Sequence, residues 1–274
     1  MEKSKYFQDK SHVKAYSSFR PRTPEDVAVK SMEYLKTVSQ NGDNKFELMI
    51  DIGCGGGQST DIFAPYFKKI IGIDRSETQL EAARQVNTFD HITYAVGDAQ
   101  NLDFEDNSLD LACVGQAVHW FNIPDFFKEC NRVLKPNGYL LLHGYDRPRI
   151  SVTDELDKVA DDLYTEFYDQ CTFNPVTRHV EDHYKTIYGM LNADKKHRID
   201  SVVYKMSFKI SDFIHFLRSW SGCSMLVTEH SADLISNFIA SLKKHWGVAD
   251  RSNDDVVIHA TFPYYIVISG RPKC

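Results

Sequence analysis

Apolar residues along the chain gather into short runs that alternate with segments of helical period, and this rhythm predicts the fold. Glu47–Ile52, Lys69–Asp74, Ser108–Val114 and Tyr139–His143 are runs of strand length, and His91–Val96 alternates. Runs without alternation suit strands buried on both faces, as in a parallel sheet. Ahead of them Pro24 to about Thr37, and between them Ser76–Arg84 and Asp125–Leu134, carry helical spacing, the last closed by Lys135-Pro136-Asn137-Gly138. Five strands alternating with helices predict the α/β class, a doubly wound, mostly parallel sheet with right-handed crossovers. From Ser151 to about Arg198 the pattern turns helical and charged, which predicts a helical cap inserted after the fifth strand. Arg198–Ile210 and Val256–Gly270 return to strand, with helices at Ser211–Trp220 and Glu229–Trp246 between them. The expectation is one domain built on a seven-stranded sheet. Residues 1–45 form an N-terminal helical lid, 46–150 a ligand-binding core, 151–197 the cap, and 198–274 the strands and helices that complete the sheet.

The run at Glu47 passes directly into Gly53-Cys54-Gly55-Gly56-Gly57-Gln58-Ser59. Such glycines allow positive φ and let a ligand approach the backbone closely. Asp51, Gln58 and Ser59 flank the turn with polar groups, and the following STDIFAPYF reads as the start of a helix. This is a nucleotide-type cradle. A dinucleotide fingerprint carries a small residue at the sixth position, where Gln58 stands here, so a nicotinamide cofactor is disfavoured.

Open α/β sheets bind ligands beyond the carboxyl ends of their strands. The second strand ends in Asp74, suited to two ribose hydroxyls; the alternative is a helix N-cap, a role Ser76 fills equally well. Past the third strand, Asp98 suits an adenine amino group and the backbone of Ala99 a ring nitrogen, unless Asp98 is an ordinary loop residue. The fourth strand delivers Gln116, His119, Trp120 and Phe121 to the same edge. Upstream, Tyr16 and Arg20 share a helix face from which they could close over a cofactor carboxylate, or they belong to a helix packed on the sheet.

Taken as a set, the glycine turn, Asp74, Asp98, Gln116 to Phe121 and Arg132-Val133-Leu134-Lys135-Pro136-Asn137-Gly138 resemble the core of the class I S-adenosylmethionine-dependent methyltransferases. More narrowly, Tyr16 to Pro21, the AVHWF stretch, Tyr145, Ser219-Trp220-Ser221 and Phe262 to Gly270 resemble the trans-aconitate methyltransferase-like group. The resemblance implies a Rossmann-like sheet whose last strand runs antiparallel, with S-adenosyl-L-methionine as cofactor. Its implied cofactor ligands are Tyr16, Arg20, Asp51, Gly53, Gly55, Gln58, Asp74, Asp98, Ala99 and Gln116. It also implies methylation of a small molecule, with a carboxylate oxygen as one acceptor. Trp120, Phe121, Tyr145 and Trp220 are then candidate substrate walls, with Arg147 and Arg149 as cationic partners for an acid.

Transfer from a sulfonium releases a neutral leaving group, so positioning matters more than acid catalysis. A carboxylate acceptor needs no base, whereas a hydroxyl or amine acceptor would make His119 the candidate base; His119 as a positioning residue is the alternative. Composition narrows the competing classes. A net charge of -6 and a pI near 6.0 provide no global basic field, which argues against nucleic acid as substrate. No stretch has the roughly 20 apolar residues of a membrane span, and the polar MEKSKYFQDK opening lacks the apolar core of a secretory signal. A cytoplasmic protein is expected. The six scattered cysteines show no metal-ligand spacing, so no metal and free thiols are expected. A nicotinamide-dependent oxidoreductase and a catalytically silent binding protein remain as alternatives, and oligomeric state is open.

Overall fold

The computed structural model describes residues 19–39, 45–153, 155–171, 178–220 and 228–273. Tyr16 and Ser221 lie outside them, as do most of the expected lid and part of the cap. The strands are β1 (Phe46–Ile52), β2 (Phe67–Asp74), β3 (Ile92–Val96), β4 (Leu109–Gly115), β5 (Leu134–Tyr145), β6 (Arg149–Ser151), β7 (Lys196–Lys209) and β8 (Val257–Gly270). The helices are α1 (Glu25–Val38), α2 (Glu77–Val86), α3 (Ile123–Val133), α4 (Lys158–Cys171), α5 (Arg178–Glu181), α6 (Lys185–Met190), α7 (Ile210–Arg218) and α8 (Thr228–His245).

Among the described residues the sheet has eight strands rather than seven. The extra one is β6, whose three residues pair antiparallel with Thr261, Ala260 and His259 and are too short to register as a periodic run. β3, β2, β1, β4 and β5 lie side by side and parallel, in that order. β8 then runs antiparallel along β5, with β7 antiparallel on it. Lys135 to Gly138, expected as a turn, falls inside β5, where the register against β4 shifts between Leu109 and Leu111.

Alternation across the strands sends odd and even residues to opposite faces. Met49, Leu111, Cys113 and Leu141 join one core with α1, α4, α7 and the aromatic cluster of Tyr164, Phe167, Phe213, Phe216 and Trp220. Ile50, Ile52, Ala112, Val114, Leu140 and Leu142 join the other, against Phe126, Cys130 and Val133 of α3. Residues on both faces are buried, which explains the unbroken apolar runs of the central strands. Beyond the glycine turn the expected helix is a short 3-10 segment, Asp61–Tyr66, whose Pro65 removes a backbone donor. Among the described residues no helix is long and apolar enough to cross a membrane.

Candidate functional site

At the carboxyl ends of the parallel strands lies a cleft of about 310 Å³, lined by residues from the glycine turn, from the ends of β2, β4 and β5, and from the segment preceding α1. The turn is built by its backbone. Gly53 stands at φ 70°, and a Cβ there would lie 2.7 Å from that of Ala117; Gly55 is at φ 54° and Gly57 at φ 78°. The Gly53 and Cys54 amides both donate to the Ile73 carbonyl, tying the turn to the end of β2.

Asp74 links this turn to the next helix. Its Oδ2 accepts from the Gly55 amide at 3.0 Å and its Oδ1 from the Ser76 amide at 2.8 Å, while the side chain also lines the cleft. Burial raises its pKa, opposed by those backbone donors. The capping role falls to Ser76, whose hydroxyl accepts from the Gln79 amide at the start of α2. Ile73, Gly97, Ala99 and Gln100 line the cleft beyond Asp74 and leave a slot of small and apolar character. Asp98 itself is not among the residues that line the cleft. Its carboxylate pairs with Arg75 at 2.6 Å and accepts from the Gln100 amide, and both of those partners line the cleft.

Asp51 also stands apart from the lining. It is fully buried below the turn, where Oδ2 accepts from Thr60 at 2.6 Å and more weakly from Ser59 at 3.5 Å, and Oδ1 has no partner. Lost hydration pushes its pKa up to about 6, against the pull of the two hydroxyls.

The segment before α1 crosses the mouth. Arg20, Pro21 and Thr23 line the cleft; Thr23 donates its amide to the Gln58 carbonyl, and Arg20 bonds the Tyr145 hydroxyl at 2.9 Å and the Ser219 carbonyl at 3.0 Å. Gln116 sits at φ 50°, uncommon for a residue with a side chain, and its Nε2 holds the Tyr145 carbonyl at 3.0 Å. Trp120, Phe121, Tyr145 and Tyr264 complete the wall.

His119 is on the short 3-10 turn Val118–Trp120, behind that wall. Its Nδ1 lies 3.2 Å from the hydroxyl of buried Tyr184, and desolvation, followed by the charges of His179 and Arg20, lowers its pKa to about 3. The ring is therefore neutral throughout the physiological range and a weak proton acceptor. Arg147, two residues past Tyr145, stands outside the cleft against the Tyr168 ring, with a buried Nη1 that has no partner. Arg149 is exposed and borders a separate cavity beside β6 and β8, and Trp220 is packed among Tyr164, Phe167, Tyr168 and Phe216.

Thr23, Gln79, Gln100 and His143 also line the cleft, and the sequence did not mark them. His143 ends an apolar run and reads there as core, yet its imidazole is 1% exposed, faces the cleft and has both nitrogens unpartnered. Its place at a strand's carboxyl end was the available signal. Among the described residues no group of three or more His, Cys, Asp or Glu could hold a metal ion.

The cleft fits an adenosyl amino acid. It has a lining carboxylate in Asp74, small and apolar residues beside it, a backbone cradle from which side chains are excluded, and lining amides, Gln58 Nε2, Gln79 Oε1 and Gln116 Oε1, that are buried without partners. Such groups are costly unless a ligand satisfies them. Relatives agree with this chemistry. The sequence profile of a family described as a methyltransferase domain matches residues 50–142. A Dictyostelium discoideum protein named as a methyltransferase is 32% identical over 268 residues, covering 97% of this chain and 96% of its own. A Saccharomyces cerevisiae protein named as an S-adenosylmethionine-dependent methyltransferase is 27% identical over 154 residues, 54% of this chain and 50% of that one. A solved type II methyltransferase from Anaeromyxobacter dehalogenans shares the fold, with a TM-score of 0.68 at 24% identity, over 94% of this chain and 100% of that one. With 32% identity to the Dictyostelium protein over nearly the full length of both, the nicotinamide and silent-binder readings fall away, and the chain belongs to the class I S-adenosylmethionine-dependent methyltransferases.

Proposed function

We propose that the acceptor is a small anionic metabolite methylated on a carboxylate oxygen, in keeping with the chain's resemblance to the trans-aconitate methyltransferase-like group, and that the enzyme works in the cytoplasm. The observation that carries the reading is Arg147, which stands outside the cofactor cleft, two residues past its lining Tyr145, with a buried Nη1 that has no partner. A buried guanidinium donor left open is costly, and a bidentate carboxylate is its natural complement. Asp74 holds the ribose, the turn from Gly53 to Gln58 cradles the amino acid end, and Gly97, Ala99 and Gln100 receive the base. Asp51 and Asp98 act indirectly, the first by bracing the turn through Thr60 and the second by anchoring Arg75. Residues 151–197 serve as the acceptor-side cap.

Bound S-adenosylmethionine supplies an electrophilic methyl group on a sulfonium. An ionised carboxylate attacks without losing a proton, so the chain's task is to orient the acid and exclude water. His119 matches that requirement. With its Nδ1 directed at Tyr184 and its pKa near 3, it shapes the acceptor side without serving as a base. His119→Gln is expected to retain single-turnover rates within about tenfold of wild type, with the same pH profile; a loss of the roughly 10² to 10⁴ typical of a missing general base would restore that role.

The direct test is methyl transfer from labelled cofactor to a panel of small polycarboxylates, amines and phenols. Carboxylates are expected to turn over and their amides to fail. Arg147→Gln should raise KM for the acid at least tenfold, the value of one charged hydrogen bond, while cofactor affinity stays constant. Turnover of amines or phenols alone would overturn the carboxylate reading.

A further inference from the structure

Odd residues at the ends of the central strands share one face of the sheet, and three of them, Asp51 on β1, Gly115 on β4 and His143 on β5, form a polar floor beneath the cleft. Register pairs Gly115 with His143. A Cβ on Gly115 would lie 2.7 Å from Cε1 and Nε2 of the ring and 2.9 Å from the Ser59 hydroxyl, so glycine is what lets these two polar groups converge there. The imidazole has no partner on either nitrogen, and the buried Asp51 Oδ1 has none either. Desolvation lowers the His143 pKa to about 4, so at neutral pH the ring is uncharged and keeps one bare nitrogen.

The strand order fixes which end of the cofactor meets this floor. Asp74 and the apolar slot of Ile73, Gly97 and Ala99 lie at the β2 and β3 end, so the amino acid end extends toward β1, β4 and β5. There the cleft has a cationic lining group in Arg20, suited to a carboxylate. Below it, Asp51 and the bare nitrogen of His143 are acceptors, suited to N–H donors.

We propose that His143 recognises the α-ammonium of S-adenosylmethionine, its unprotonated ring nitrogen accepting a hydrogen bond from that group. The role is independent of the acceptor. It explains why a histidine occupies a strand position otherwise fit for an apolar residue, since an unmet buried imidazole costs stability that only a ligand returns.

Calorimetry with S-adenosylhomocysteine, decarboxylated S-adenosylmethionine and 5′-methylthioadenosine tests the proposal on wild type, His143→Leu and His143→Gln. The first two ligands carry the amine; the third lacks the amino acid end. His143→Leu is expected to weaken both amine ligands roughly tenfold and leave 5′-methylthioadenosine unchanged, while the ligand-free melting temperature holds or rises. His143→Gln, which keeps an acceptor, should stay within a few-fold of wild type. His143→Met serves in the same comparison should the leucine variant fail to fold. Equal losses for all three ligands would mean general distortion. A loss confined to the ligand with a carboxylate would mean that the ring donates to that group, and no loss would mean that it holds only a buried water. Each of these three results overturns the proposal.

Discussion

Asp74→Ala is expected to cut affinity for S-adenosylmethionine and S-adenosylhomocysteine at least a hundredfold in a protein that still folds. The carboxylate lines the cleft and has capacity for ligand donors beyond the two backbone amides it already accepts from, those of Gly55 and Ser76. Two ribose hydroxyls bonded to a charged acceptor are worth about 1.5 to 3 kcal/mol each, and tenfold in affinity is about 1.4 kcal/mol. The loss of the Gly55 contact adds to this, because the turn is then held to β2 only through the Gly53 and Cys54 amides. Asp74→Asn separates the two effects, since it can keep one backbone contact while giving up the charge, and it should fall between wild type and alanine. Calorimetry reads the affinity and circular dichroism the fold. An alanine variant that binds as tightly as wild type would reduce Asp74 to a brace for the turn.

What the sequence disclosed and what it hid follow from how each feature is encoded. Parallel strands buried on both faces leave apolar runs, and glycines forced to positive φ have few substitutes, so β1, β2, β4 and the turn from Gly53 to Gly57 were readable. β6 was not, because three residues carry no period. The direction of a side chain also escapes the pattern. Asp51 and Asp98 stand at ligand-edge positions, yet neither lines the cleft: one is held by Thr60 and the other pairs with Arg75. Both choices depend on partners distant in sequence or on a loop's conformation. His143 was hidden for a related reason. Burial on both faces removes the alternation that would set a polar residue apart, and only the packed neighbours reveal that its nitrogens have no partner.

The pH dependence of stability exposes the cost of one such buried group. Asp51 ionises freely near pH 3.8 in the unfolded chain and near pH 6 in the folded one, a difference equivalent to roughly 3 kcal/mol. The sign follows from proton counting. Below about pH 3 both states hold the proton and the residue is neutral to stability. Between about pH 4 and pH 6 the folded state binds more protons than the unfolded one, so stability from this group falls as pH rises, and above that range the full penalty persists. Asp51→Asn cannot ionise and escapes this slope. The stability of the variant minus that of wild type, measured by urea unfolding of the ligand-free proteins, should therefore climb by roughly 3 kcal/mol from pH 3 to pH 7 and then level off. Other carboxylates titrate in both proteins and cancel in the difference. The offset at pH 3 reports how well the asparagine amide finds a partner in place of Oδ1, so the climb carries the test and the intercept does not. A difference that stays flat across the range would mean that Asp51 keeps an ordinary carboxylate pKa, through water reaching Oδ1 beneath the glycine turn.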